Sequence, residues 1–69
     1  MDAKTIMKNA MKHQKVKSGT LADMLGMQRQ AFYNKLDRGT MSANFFIEMA
    51  DAIGCDVVLR DRATGEVIE

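Results

Sequence analysis

With 69 residues and a net charge of +1, the chain fits one domain over 1–69 that buries only about 60% of its unfolded surface, so a second subunit or a packed C-terminal hairpin would relieve a marginal core. A single cysteine, Cys55, excludes an internal disulfide and fits a reducing cytoplasm. No run approaches the ~20 apolar residues of a membrane span, and Lys4, Lys8 and Lys12 are spread through the start rather than preceding an apolar stretch, which argues against a secretory leader.

A first helix is predicted over about 2–15. Ala3, Ile6, Met7, Ala10 and Met11 recur at three- and four-residue intervals, and Asp2 suits the N-cap. Lys4, Lys8, Lys12 and Lys15 form the opposite stripe, read as a solvated face. The connector 15–19 follows, with Val16 turned inward. Ser18 is expected to cap a second helix over about 19–25, which Gly26 ends. A third helix is expected over about 28–37, with Gly39 where a terminating glycine belongs. After the loop at Thr40 and Met41, Ser42 caps a fourth helix over about 42–53, closed by Gly54. Phe46, Met49, Ala50 and Ile53 make its inward stripe. Phe45 and Ile47 lie off that stripe and require a partner, either the C-terminal segment or a second subunit. From residue 56 the period changes. Val57-Val58-Leu59 and Glu66-Val67-Ile68-Glu69 read as two strands of a hairpin over about 56–69, turning at Ala63-Thr64-Gly65. Two strands alone are marginal and must pack on the helices or pair across a dimer. The seven Met read as gap-filling core side chains.

The most informative spacing surrounds Gly26. Ala22 is small enough for two helices to cross closely, Gly26 tolerates positive φ at a corner, and Leu21, Leu25, Met27 and Phe32 supply inward apolar faces. That wiring is a helix-turn-helix, whose second helix enters the DNA major groove. Charge is divided to match. Residues 1–40 hold eight Lys or Arg against three Asp, a net +5, whereas residues 41–69 hold two against six, a net −4. One half is suited to a polyanion, nucleic acid or membrane surface, and the other is not.

At these residues the chain resembles the Cro/repressor (XRE-type) family of bacterial and phage regulators. Leu21-Ala22, Leu25-Gly26-Met27, Phe32 and Arg38-Gly39 carry the resemblance, continued by Ser42, Phe46 and Met49-Ala50-Asp51-Ala52-Ile53-Gly54. It covers residues 17–54. It implies a mainly α, four-helix Cro/repressor-like domain, to which this chain adds a C-terminal β-hairpin. There are two departures. Lys35 stands where many members have an apolar residue, with Leu36 next, so the third helix is extended by a residue. Gln28 stands where many begin the third helix with Ser or Thr, a weaker cap. Cro-like members use a C-terminal strand to dimerise, which implies a homodimer here.

By position, the resemblance assigns base contacts to Gln28, Arg29, Gln30, Tyr33 and Asn34. Their chemistry suits base recognition, since Arg can donate two hydrogen bonds to guanine, and Gln or Asn can bond adenine bidentately. Tyr33 has two equal readings, a phosphate hydrogen bond or a place in the core. Phosphate contacts are expected at the start of the second helix from Lys17, Ser18, Gly19 and Thr20, and at the far end of the third from Lys35, Arg38 and Thr40.

The expected function is sequence-specific, DNA-binding transcription regulation, with double-stranded DNA and a second copy as partners. No small-molecule ligand or cofactor is expected. Catalysis has little support: nothing in the sequence positions His13 near Cys55, and one Cys with one His falls short of a zinc site. The alternative is a protein-interaction module, antitoxin- or anti-repressor-like, on the same scaffold, motivated by Phe45, Ile47 and the acidic second half.

Overall fold

Local signals start and stop each helix, and the computed structural model, which describes residues 2–39 and 41–69, shows how they are used. Helix α1 spans Ala3–Gln14. Asp2 caps it, its Oδ1 accepting the Thr5 N–H at 2.8 Å. The chain leaves α1 through Lys15 in the left-handed region, φ 58°. The Val16 N–H then donates to Met11 O at 2.9 Å, which ties the connector back to the helix.

Helix α2 spans Ser18–Met24. Ser18, the expected cap, is instead its first helical residue. The Leu21 N–H donates to Lys17 O at 3.0 Å, so the hydrogen-bond register begins at Lys17, whose side chain makes no capping bond. Gly26 turns the corner at φ 67°, and Met27 N–H donates to Ala22 O at 2.9 Å. Only glycine adopts that φ without strain from a Cβ. Helix α3 spans Arg29–Arg38, one residue beyond the expected end, with Gln28 as an N-cap that makes no side-chain bond. Gly39 closes it at φ 69°. Helix α4 spans Ala43–Ala52, capped by Ser42, whose Oγ accepts the Phe45 N–H at 3.0 Å.

The helices form one core. α1 packs on α4, α2 packs on α3, and α2 touches α4. Met7 and Met11 of α1, Leu21 and Ala22 of α2, Phe32 and Leu36 of α3, and Met49 and Ala50 of α4, with Ile53, are buried. Ala22 and Phe32 have no exposed surface, as a close α2–α3 crossing requires. Leu25, Met27, Val16 and Cys55 are half-buried against this core. Gln14 Nε2 donates to Ile53 O at 3.0 Å and joins the ends of α1 and α4.

The hairpin is shorter than expected. Strands β1 (Leu59–Arg60) and β2 (Val67–Ile68) pair antiparallel, Leu59 opposite Ile68 and Arg60 opposite Val67. Val57 and Val58 precede the ladder unpaired, because the register is set from the turn: Gly65 N–H donates to Asp61 O at 2.8 Å and Asp61 N–H to Glu66 O at 2.7 Å. Every residue from Asp56 to Glu69 is exposed, so the hairpin does not pack into the helical core.

Candidate nucleic-acid interface

Helix α3 separates cleanly into two faces. Phe32 and Leu36 are buried, while Gln30, Asn34, Lys35 and Arg38 are exposed, with Gln28 exposed at the cap. Gln30 Nε2 donates to Asn34 Oδ1 at 3.2 Å, one helical turn away. The bond uses one atom of each amide. The Gln30 carbonyl and the Asn34 amino group are left to meet an acceptor–donor edge such as that of adenine.

Tyr33 belongs with the core. It is half-buried and meets Phe32 edge to face, ring centroids 6.2 Å apart at 67°. Of its two sequence readings, packing is the one these contacts describe.

Arg29 is turned toward α2. Its Nη2 lies 2.8 Å from Asp23 Oδ2 and its Nε donates to Asp23 Oδ1 at 3.4 Å, a two-point contact across the corner. A Cβ added to Gly19 would stand 3.1 Å from the guanidinium carbon, so Arg29 lies along the Gly19 backbone. Its hydrogen bonds hold the Asp23 carboxyl below the usual carboxylate range and raise the Arg29 guanidinium. Both side chains remain about 60% exposed (60% and 59%), and ion pairs this wet contribute little to stability. Arg29 therefore sits beside the first turn of α2, where Lys17 and Thr20 are exposed and Ser18 and Gly19 half-buried. Arg29, expected as a base contact, is thus engaged with Asp23 and the Gly19 backbone.

At the other end of α3, Lys35 and Arg38 line a cleft of about 240 Å³ with Met41, Ser42 and Phe45. Lys35 Nζ stands 4.8 Å above the Phe45 ring, a cation–π contact. Thr40 lies outside the described residues. Phe45 also meets Phe32 edge to face, centroids 6.3 Å apart at 61°. The partner that Phe45 required is thus within its own chain.

Two more contacts escaped the sequence reading. Lys4 Nζ donates to Asp37 O at 3.1 Å, and Lys8 Nζ lies 3.8 Å from Asp37 Oδ1. Two members of the lysine stripe, read as solvated, tie α1 to the C-terminal turn of α3, where cations are favourable. Asp23 as an Arg29 partner is a further contact that sequence reasoning missed. The six-residue separation across a glycine corner is the one signal that hints at it.

His13 Nδ1 lies 3.0 Å from Gln14 Oε1, and Cys55 is a half-buried free thiol. Among the described residues, no cluster of three His, Cys, Asp or Glu could hold a metal ion, and no helix is long and apolar enough to cross a membrane.

Among the described residues, four helices and a small two-stranded antiparallel sheet make this a mainly helical domain. The family described as a domain of unknown function (DUF6471) matches residues 1–58, and the chain belongs to it. The matched region ends one residue before β1, so it takes in all four helices and leaves out the paired strands. No curated protein and no solved structure matches the chain.

Proposed function

We propose that the chain is a sequence-specific DNA-binding transcriptional regulator of bacterial or phage type. It would use α2 and α3 as a Cro/repressor-like helix-turn-helix in the cytoplasm, and bind as a homodimer. One observation carries the reading: α2, with Ala22 fully buried, packs on α3 across a turn at Gly26, and the paired amides of Gln30 and Asn34 are left exposed on α3. In this reading the start of α3 enters the major groove, and Gln28, Gln30 and Asn34 meet base edges. Lys17, Arg29, Lys35 and Arg38 meet phosphates and set position without reading sequence. The net +5 of residues 1–40 supplies the attraction and the net −4 of the remainder keeps the second half off the duplex.

Phosphate is a competent rival to Asp23 for Arg29, because the exposed pair has little stability to lose. A two-fold dimer would set its two α3 helices roughly 34–36 Å apart, one DNA turn. Selection from a random-sequence duplex pool with purified, folded protein tests the reading. An enriched site with two related halves is expected. Recovery of unenriched DNA at low salt refutes sequence-specific recognition.

A further inference from the structure

Outside α3, several large aliphatic side chains are uncovered, and contiguous apolar patches of this kind mark interaction sites. Leu59 is 73% exposed and its cross-strand partner Ile68 is 57% exposed. Directly opposed residues of an antiparallel pair share a face, so the ribbon presents an apolar patch to solvent. The molecule measures 41 × 21 × 18 Å, with a radius of gyration of 12.8 Å. A compact chain of this length would have about 11 Å. The hairpin therefore projects as an arm.

A complementary depression lies at the root of that arm. Ala3 and Ile6 of α1, Phe46 and Ile47 of α4, Met41 and Val57 are among the residues that line an open groove of about 400 Å³. Among the described residues no charged side chain lines it, and charge is likewise depleted at the centres of protein interfaces. Val57 belongs to the groove, while Leu59, two residues on, is already in the arm. A two-fold axis near Val57 would lay each arm on the other copy's groove, the reciprocal arrangement of an isologous dimer. Five large aliphatic side chains of the arm face and the groove, Leu59, Ile68, Val57, Ile6 and Ile47, are more than two-fifths exposed. At roughly 100 Å² each they offer on the order of 500 Å² per copy, so two copies would bury about 1,000 Å², the size at which a specific interface begins.

We propose that the arm and the α1–α4 groove form one self-complementary interface, in which Leu59 and Ile68 of each copy cover Ile6, Phe46 and Ile47 of a second copy of this chain. The interface includes none of Gln28, Gln30 or Asn34. It deepens the DNA reading by supplying the two-fold partner, but it stands or falls by itself.

Sedimentation equilibrium of the full chain without DNA is the test. A species of twice 7.7 kDa is expected at high concentration. Leu59→Asp and Ile47→Glu should each raise the dimer Kd at least about thirtyfold, the loss typical of a central interface residue. Their helical circular dichroism should stay unchanged, because both side chains are exposed. With Cys55 replaced by Ala, mixed Ile47→Cys and Leu59→Cys chains should cross-link to each other on mild oxidation. A monomer at every concentration overturns the proposal. So does a dimer indifferent to both charge substitutions, or cross-linking of Leu59→Cys only to itself, which would mean ribbon-to-ribbon pairing. A dimer that selects no DNA site would keep this interface and end the DNA reading. A monomer that still selects a half-site would do the reverse.

Discussion

Replacing Gly26 by Ala isolates the corner on which the α2–α3 geometry depends. A Cβ built there meets nothing within 4 Å, so the substitution adds no clash. The cost is the backbone alone. At φ 67° an L-residue with a Cβ is disfavoured by about 1–2 kcal/mol. For a domain of this size that lowers the melting midpoint by roughly 7–14 °C. Gly26→Asn should lose less, because Asn visits the left-handed region more readily. Gly65→Ala is the control: it too has positive φ (78°) and open space around its Cβ. Its strain falls on a ribbon outside the helical core, which can open locally without unfolding the helices. The assay is thermal unfolding followed by helical circular dichroism, with both variants in the Leu59→Asp background to exclude subunit association. Gly26→Ala should shift the midpoint and Gly65→Ala should leave it within about 2 °C. Equal shifts, or none at Gly26, would refute the assignment of that glycine as the strained corner.

Other substitutions probe the core, the interface and the carboxylates. Phe32 has no exposed surface, so Phe32→Ala should cost about 3–5 kcal/mol, comparable to the whole stability of so short a chain, and urea titration should find it largely unfolded. Asn34→Ala should relax preference at the base pair it reads by about 1–3 kcal/mol. Lys17→Ala should instead weaken all duplexes alike and reduce the salt slope by about 1, and identical behaviour in quantitative gel shifts would break the division of roles. Folding lowers the pKa of Asp2, chiefly through the Thr5 N–H, and of Asp23, chiefly through Arg29, each below its ordinary 3.8. Their contribution is therefore complete above that value and lost as pH falls through the lower folded pKa values. Stability measured in urea should decline across that acid window, and Asp23→Asn should decline less steeply. Parallel acid limbs would show that the Arg29 contact contributes nothing.

Much of the helical framework is legible because its signals are local. Asp2 and Ser42 each accept an N–H three residues on, a bond that needs only the turn that follows. Gly26 and Gly39 mark corners because positive φ is a property of one residue. The inward stripe of α4 emerges from its period. Where local signals compete, the reading slips. Ser18 has the chemistry of a cap, yet the register set at Leu21 begins one residue earlier. Val57 and Val58 have the chemistry of a strand, yet the turn geometry starts pairing only at Leu59.

The candidate interface divides in the same way. By itself the sequence determined that α3 would be polar outside and apolar inside, that a glycine would bend the chain before it, and that positive charge would gather in the first forty residues. These follow from periodicity, backbone sterics and counting. Only the tertiary structure decided that Arg29 reaches back to Asp23, that Lys4 and Lys8 hold the end of α3, and that Phe45 lies between Phe32 and Lys35. It also decided that the hairpin would project from the body and leave a groove uncovered. Those outcomes depend on the angles and distances between whole helices, and many weak contacts summed across the core set those angles.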